Sequence, residues 1–336
     1  MRPRFQWDLG SRTLTLGERT LIMGVLNVTP DSFSDGGRYL APQAAIAHGL
    51  ALLDQGADIL DIGGESTRPG ASTSIHPPPA TSSLSTPAVS AEEELARVLP
   101  IIQAIKRQRP ASILSIDTYK SMVARQAIRA GAEIVNDVSG FTWDAAMPHT
   151  IAELSCGAIL MHVRGLPHQW RTQPPAPHIV SLVREELRVL ASHALDAGIA
   201  RSSLVLDPGF GFGKNFDENY PLLAHFADFQ SLGFPLLAAV SRKSFLAHTL
   251  SVRLNELAGA AKSGAPHLPQ LTNVLTGSAE APDPSSLATV EPQARDTATL
   301  AASVAAALTG AHIVRLHTVP PAIEALAIAD AILRAE

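Results

Sequence analysis

The sequence predicts an α/β protein built as a single-domain (β/α)8 barrel over residues 1–336, and three observations carry that prediction. Eight short apolar runs alternate with longer segments of helical character, which is the signature of an α/β fold. Nearly every apolar run ends in a polar or glycine-rich cluster. The length of 336 residues suits one barrel with extensions, because barrels of about 250 residues often carry insertions.

The eight apolar runs are rich in Ile, Val and Leu and are continuous, which is typical of strands buried on both faces of a parallel sheet. They cover residues 21–28, 58–64, 112–118, 133–139, 157–163, 204–211, 235–243 and 312–318. The N-terminal extension, residues 1–20, is expected to contribute a separate pair of strands.

Six segments between these runs have helical patterning. They are residues 42–55, 92–108, 120–130, 179–197, 294–309 and 320–335. Segment 92–108 opens with three glutamates and ends in basic residues, which is the polarity that a helix dipole favours.

Each apolar run carries a polar residue at its C-terminal end. These residues are Asn27, Asp61, Asp117, Asn136, His162, Asp207, Lys243 and His317. The C-terminal ends of barrel strands meet at one mouth, where the active site is built. An open doubly wound sheet would gather only the strands at its switch point. Eight polar ends therefore favour the barrel.

Two segments interrupt the alternation and are expected to be insertions at the mouth. Residues 71–91 are rich in Pro, Ser and Thr, which is typical of a loop. The segment 253–293 is much longer than an ordinary βα loop, which has roughly 2–6 residues. The longer insertion is either a mobile lid or a segment with no role in activity.

Composition excludes several classes of function. The net charge of −5 argues against general affinity for nucleic acid. The single cysteine, Cys156, excludes an intrachain disulfide and a cysteine-rich zinc site. Residues 1–20 lack the apolar segment of a signal peptide, and the Ala-rich run 301–308 is too short to span a bilayer. A cytoplasmic protein without a membrane partner is expected.

Five polar clusters could carry chemistry. They cover residues 27–37, 61–70, 207–214, 241–244 and 315–317. The third is not a P-loop, because Pro208 stands where that motif needs glycine and Asn215 where it needs Ser or Thr. Zinc-protease and hydrolase-elbow motifs do not occur in the sequence.

The residues of these clusters are of two chemical kinds. Acceptors and an amide come from Asp117, Asn136 and Asp207, and such groups recognise a heterocycle edge that carries N–H donors. Positive charge for an anion such as a diphosphate comes from Arg68, Lys243, Arg315 and His317. A polyanionic leaving group normally brings Mg²⁺, for which Asn27 and Asp35 are nearby oxygen donors. These residues predict a transferase or lyase that acts on a small phosphorylated heterocycle.

At these motifs the sequence resembles the dihydropteroate synthases. The shared strings, in the family's order over roughly residues 18–250 and 294–334, are NVTPDSFSDGG, DIGGESTRPG, SIDT, NDVSG, MHVRG, LDPGFGFGK, SRKS and RLH. The resemblance implies a barrel, usually dimeric, that joins 6-hydroxymethyl-7,8-dihydropterin diphosphate to 4-aminobenzoate. The products are dihydropteroate and diphosphate, in folate synthesis. It also implies that the C–O bond breaks before the amine attacks.

The resemblance further implies a role for each matching residue. The pterin edge is held by Asp117, Asn136, Asp207 and Lys243, and Lys214 belongs to the substrate-binding set. The pterin ring is lined by Met161 and Phe212. The diphosphate is held by Arg315, His317, Asn27 and Arg68, with Mg²⁺ on Asn27 and Asp35. The aminobenzoate site, where sulfonamides compete, is formed by Phe33, Thr67, Arg68, Pro69, Ser241 and Lys243.

The sequence departs from the family pattern at three points. Thr318 follows His317 where an aspartate is usual, Val163 replaces a common methionine, and the insertion 253–293 is longer than in typical bacterial members. The main alternative is another pterin-binding barrel, such as a methyltetrahydrofolate:corrinoid methyltransferase. That class shares the Asp/Asn contacts to the pterin but has no need of the cations Arg68 and Arg315.

Overall fold

The computed structural model describes residues 2–28, 40–66, 88–262 and 290–335, and its central feature is a parallel sheet of eight strands. In chain order the strands are β1 (Phe5–Asp8), β2 (Thr13–Leu16), β3 (Leu21–Asn27), β4 (Ile59–Gly63), β5 (Ile113–Asp117), β6 (Ile134–Asp137), β7 (Gly157–Met161), β8 (Leu204–Asp207), β9 (Leu237–Ala238) and β10 (Ile313–Leu316).

The parallel sheet closes on itself. Its strands follow the order β8-β7-β6-β5-β4-β3-β10-β9, and Leu206 of β8 forms a parallel bridge with Leu236, just before β9. The backbone N–H of Leu206 also donates to the carbonyl of Pro235 at 2.9 Å. These contacts join the two outer strands and complete the predicted barrel.

Helices cover the outside of the barrel. The α-helices of the described residues are α1 (Leu40–Asp54), α2 (Ala91–Gln108), α3 (Ser121–Arg129), α4 (Met147–Leu154), α5 (Ile179–Asp196), α6 (Asn219–Ala224), α7 (Ser244–Lys262), α8 (Asp296–Leu308) and α9 (Pro320–Ala335). A capping box starts α2, because the Ser90 side chain accepts from the Glu93 N–H while the Glu93 carboxylate accepts from the Ser90 N–H.

The two-residue period of the strands divides the barrel interior into layers. A lower layer is apolar and includes Met23, Ile59, Ile134, Ile159, Val205 and Ile313. The inward residue two positions later is polar on most strands, as Asp61 follows Ile59 and Arg315 follows Ile313. Residues between them, such as Leu60 and Val314, pack outward against the helices. The register therefore directs the polar residues to the mouth.

The predicted N-terminal strand pair is present and closes the bottom of the barrel. β1 and β2 pair antiparallel, with Phe5 opposite Leu16. Trp7 is fully buried in the lower apolar layer, and its indole Nε1 donates to the carbonyl of Ser203 at 2.9 Å. This pair forms a plug at the end opposite the mouth.

Three expectations need correction. The side chain of His162 faces the outer helix α5, where its Nε2 lies 2.6 Å from Glu186, because it stands one position after the inward-facing Met161. The expected insertion begins as helix, since α7 continues to Lys262. Strand β9 has only two residues, because the chain turns soon afterwards at Arg242, whose φ is 57°.

Most of the predicted loop 71–91 and of the insertion 253–293 lies outside the described residues. The sequence patterns had not predicted α4, α6 or α7, which connect successive strands in the observed fold. Among the helices of the described residues, none combines the length and the apolar character needed to cross a membrane.

Candidate active site

Arg315 forms the centre of an ionic cluster at the mouth. Its Nε donates to Asp61 Oδ2 and its Nη2 donates to Asp117 Oδ2, both at 2.6 Å. Asp61 is fully buried, and the side chain of Arg315 is only 19% exposed. Although burial opposes its charge, the two carboxylates raise the pKa of the Arg315 guanidinium above its usual range. The cluster joins the ends of β4, β5 and β10.

Asp61 also orients Asn136. The amide Nδ2 of Asn136 donates to Asp61 Oδ2 at 2.9 Å, so the amide oxygen faces away from that carboxylate. The sequence predicted Asp61 to lie at a strand end but predicted no role for it. A carboxylate inside the otherwise apolar strand ILDIG was the feature that could have indicated one. The structure identifies it as the residue that holds both Asn136 and Arg315.

Asp207 stands at the end of β8, close enough to Lys243 and Arg315 to interact with both electrostatically. Its Oδ1 accepts from the backbone N–H of Gly209 at 2.7 Å. Gly209 has a φ of +70°, and a Cβ there would lie 1.9 Å from the carbonyl oxygen of His162, so only glycine fits this turn. Burial raises the pKa of Asp207 to about 6.

Asp117 is a second acceptor whose ionisation is opposed by its surroundings. Burial is the main cause, and the nearby Asp61 adds to it, so the pKa of Asp117 is raised to about 7 in spite of Arg315. The pKa of the fully buried Asp137, next to Asn136, is likewise raised by burial to about 7. At the mouth, the ionised and neutral forms of Asp117 are therefore close in free energy near neutral pH, whereas Asp137 stands one position after the inward-facing Asn136.

Lys243 is a cation that is removed from water, and its pKa is shifted in the direction opposite to that of Asp117 and Asp207. Its Nζ lies 3.8 Å from the centre of the Phe212 ring, where the cation interacts with the π-system. Burial, followed by the charge of Arg315, lowers the pKa of Lys243 to about 7. The ammonium and its neutral form are therefore close in free energy near neutral pH.

His317 does not supply the positive charge that the sequence predicted. Burial, followed by the nearby Arg315 and Arg242, lowers its pKa to about 3. Its backbone N–H donates to Ser241 Oγ at 3.3 Å, and the same hydroxyl lies 2.9 Å from Nδ1. The low pKa keeps the ring neutral at pH 7, and the two contacts with Ser241 fix its orientation.

An aromatic cluster lines one wall of the mouth. Met161, which is 5% exposed, packs with Tyr119, Trp143 and Trp170. Phe212 joins them through an edge contact with Trp170, with ring centres 5.0 Å apart. The sequence had predicted Met161 and Phe212 for this wall but not the other three aromatic residues. Val163, which replaces a common methionine, also packs against this cluster.

The ammonium group of Lys214 binds backbone carbonyl groups of nearby loops. Its Nζ donates to the carbonyl oxygens of His162, Gly209 and Phe212 at 2.8–3.2 Å. These three bonds match the three donors of an ammonium group. Lys214 therefore stabilises the loop that follows Asp207 and carries Phe212. Any contact between Lys214 and a ligand would have to replace one of these bonds.

Glu65 holds together the two ends of segment 67–87. Before the segment, Glu65 Oε2 accepts from Lys120 Nζ at 2.6 Å, and the same ammonium binds Glu94 at 2.6 Å. After the segment, the Val89 N–H donates to Glu65 Oε1 at 3.4 Å. This buried cluster could not be predicted from the sequence, because its members lie in separate parts of the chain.

Five predicted site residues fall in parts of the chain that the structure does not describe. They are Phe33, Asp35, Thr67, Arg68 and Pro69. Asn27, the other predicted metal ligand, is half-buried at the end of β3. Within the described ranges, no three His, Cys, Asp or Glu residues come together as a metal site.

Comparison with known proteins agrees with this geometry. A family of pterin binding enzymes matches residues 23–317. The dihydropteroate synthase of Escherichia coli is 36% identical, over 94% of this chain and 92% of its own. The structure of Xanthomonas albilineans dihydropteroate synthase with 4-aminobenzoic acid has a TM-score of 0.75 at 35% identity, covering 99% of each chain. That enzyme in complex with 7,8-dihydropteroate gives 0.72 at 34% identity, covering 98% of this chain and 99% of that one.

We expect Arg315→Ala and Lys243→Ala to differ sharply in stability. Removal of Arg315 leaves the fully buried Asp61 and the partly buried Asp117 without their counter-ion, which should cost about 3–5 kcal/mol of the free energy of unfolding. Removal of Lys243 should change it by less than about 1 kcal/mol, because burial already disfavours that charge. Urea denaturation at pH 7, followed by circular dichroism, measures both. Equal destabilisation would contradict the assignment of Arg315 as the counter-ion.

Proposed function

The chain belongs to the dihydropteroate synthase family of pterin-binding enzymes, and from this premise we propose how its mouth joins a dihydropterin diphosphate to 4-aminobenzoate. One observation carries the mechanism: acceptors and cations meet at one opening, where Arg315 donates to Asp117 and lies close enough to Asp207 and Lys243 to interact with both. Asp117, Asn136 and Asp207 supply the acceptors, while Lys243 and Arg315 supply the cations. A substrate with a donor-rich ring and an anionic tail matches this combination of groups.

The acceptors bind the amino-pyrimidinone edge of the pterin. That edge presents N–H donors, which ionised Asp207 and the oxygen of Asn136 accept. The orientation that Asp61 imposes on the Asn136 amide supports this role. Met161 and Phe212 contact the ring faces, and Lys243 lies beside Phe212, within reach of a ring carbonyl.

The diphosphate is bound by groups on β10 and on the neighbouring loops. The Arg315 guanidinium supplies fixed positive charge. His317 contributes a neutral Nε2–H donor, which the Ser241 contact to Nδ1 supports. Asn27 and Arg68 complete the set by family resemblance. Phe33, Thr67, Arg68 and Pro69, together with Ser241 and Lys243, bind the aminobenzoate.

We further propose that Mg²⁺ accompanies the diphosphate. Asn27 offers an amide oxygen at the end of β3, and Asp35 would add a carboxylate. A set of one or two protein oxygens completed by substrate phosphate is typical of Mg²⁺ sites. When bound, the ion would neutralise charge on the leaving group.

The chain's own residues perform catalysis by positioning and electrostatics. The C–O bond of the pterin methylene breaks, its electron pair leaves with the diphosphate, and the aminobenzoate nitrogen then bonds to the methylene carbon and loses a proton. Arg315 and the His317 N–H stabilise the negative charge that develops on the leaving oxygen. Asp117 and Asp207 stabilise the cation that develops on the pterin.

Turnover should require both substrates and the metal. We expect diphosphate release only when the dihydropterin diphosphate, 4-aminobenzoate and Mg²⁺ are present together, measured with a coupled pyrophosphatase assay. Lys243→Ala, which should fold normally, is the matched control and is expected to lose about 100-fold in kcat/KM. Pterin binding without diphosphate release would contradict the proposal. Methyl transfer from methyltetrahydrofolate would instead indicate a corrinoid methyltransferase.

The pH profile should have two limbs. Asp117 and Asp207 must be ionised to act as acceptors and to stabilise the cation, so kcat/KM should fall as the pH drops through their raised pKa values of about 7 and about 6. Lys243 must be protonated, so kcat/KM should fall as the pH rises through its lowered pKa of about 7. Lys243→Arg keeps its charge and should lose the alkaline limb. An unchanged alkaline limb in that variant would show that another group titrates.

We also propose that the protein forms a homodimer through α8 and α9. Apolar side chains stand exposed on these two packed helices, namely Leu308, Ile328 (65% exposed) and Ile332. Ile328 and Ile332 are one helical turn apart and share a face. A location in the cytoplasm stays a prediction from the sequence.

Charge on this face should separate the dimer. Analytical ultracentrifugation of the wild type is expected to give twice the 35.4 kDa chain mass, whereas Ile328→Asp is expected to give the monomer because it would bury a charge. Val189→Asp introduces the same charge at an exposed apolar site on α5 and should remain dimeric. A monomeric wild type would overturn the proposal.

A further inference from the structure

The turn that follows β9 has a strained backbone, which is stabilised by hydrogen bonds to residues at and just before the start of α8. Arg242 has a left-handed φ of 57°, which is unfavourable for a residue with a long side chain. Its N–H donates to Thr299 Oγ1 at 3.0 Å, and its carbonyl oxygen accepts from Arg295 Nη1 at 2.9 Å. Both partners lie at the start of α8, so this helix fixes the conformation of the turn.

The Arg242 side chain is held by a carboxylate from the same helix. Asp296, the first residue of α8, accepts from Arg242 Nε at 2.7 Å and from Nη2 at 2.9 Å. A planar guanidinium bound by both oxygens has one defined orientation. Although partial burial opposes ionisation, the hydrogen bonds from Arg242 and Thr318 hold the pKa of Asp296 below its usual value. The carboxylate is therefore charged at neutral pH.

The same carboxylate reaches the end of β10. Thr318 Oγ1 donates to Asp296 Oδ2 at 2.8 Å, and Arg242 Nη2 donates to Thr318 Oγ1 at 3.1 Å. Asp296 thus connects Arg242, in the turn after β9, to Thr318, the residue after His317. Ser241 and Lys243 are the chain neighbours of Arg242, and Ser241 contacts His317.

We propose that Asp296 is a positioning residue: through Arg242 and Thr318 it sets the placement of Lys243 and His317 at the mouth. The proposal deepens the proposed function and rests on it. Without the acid, the guanidinium has no fixed partner and the strained turn loses one of its restraints. Lys243 then shifts from its position over Phe212, and the Ser241–His317 contact is lost, while the barrel itself stays intact.

An exchange of the acid between positions 296 and 318 tests this directly. Thr318 Oγ1 already lies 3.1 Å from the Arg242 guanidinium, so an aspartate at 318 would reach the same cation. Asp296→Asn should lower kcat/KM about 10- to 100-fold. Thr318→Asp alone should also lower it, because two carboxylates would then lie close together. The double variant Asp296→Asn/Thr318→Asp should recover to within about threefold of the wild type.

Each variant is also compared in thermal unfolding and in calorimetric binding of inorganic diphosphate, which needs no turnover. We expect weaker diphosphate binding in Asp296→Asn, recovery in the double variant, and melting temperatures above the assay temperature throughout. Asp228→Asn, the same change at an exposed site, should match the wild type. If the wild type shows no turnover but diphosphate binding follows this order, the proposed function fails and the positioning role stands.

Three results would overturn the positioning role. They are wild-type activity in Asp296→Asn, an activity loss that the folded double variant does not recover, or a loss that disappears when assays are run well below each melting temperature. If the double variant does not fold, Asp296→Glu decides. It keeps a carboxylate and should exceed Asp296→Asn in kcat/KM, whereas equal activities would contradict the proposal.

Discussion

The charge pairing of Arg315 with Asp61 and Asp117 is the interaction on which the mouth of the barrel depends. Three charged groups from three strands lie in a position that is largely removed from water. Each would be unfavourable there alone, because a buried charge needs a partner of opposite sign. Together they fix the strand ends and, through Asp61, the amide of Asn136. The ligand-binding groups are therefore held in place before any ligand arrives.

The same desolvation sets the protonation states around this cluster. It raises the pKa values of Asp117 and Asp207, lowers that of Lys243, and keeps His317 neutral. The mouth thus carries little unpaired charge. Electrostatic groups that are already oriented need little reorganisation during a reaction, which is why a site without a strong nucleophile can still catalyse bond cleavage.

The sequence was sufficient to predict the barrel and most of the described strand ends, because a strand places every second residue on the same side. His162 was misjudged because a shift of one residue reverses the side. The neutral state of His317 could not be predicted, since it depends mainly on burial and also on Arg242, which comes close only in the fold. Thr318 was recognised as a departure from the family pattern, but its acidic partner Asp296 starts a different helix, and no local pattern connects the two.

Among the described residues, the plug formed by β1 and β2 covers the end of the barrel opposite the mouth. Both substrates are therefore expected to enter through the mouth, and both products are expected to leave through it. A dihydropteroate molecule that dissociates slowly would occupy the pterin and the aminobenzoate binding sites at the same time. Product release through the mouth is thus a step that every catalytic cycle has to complete.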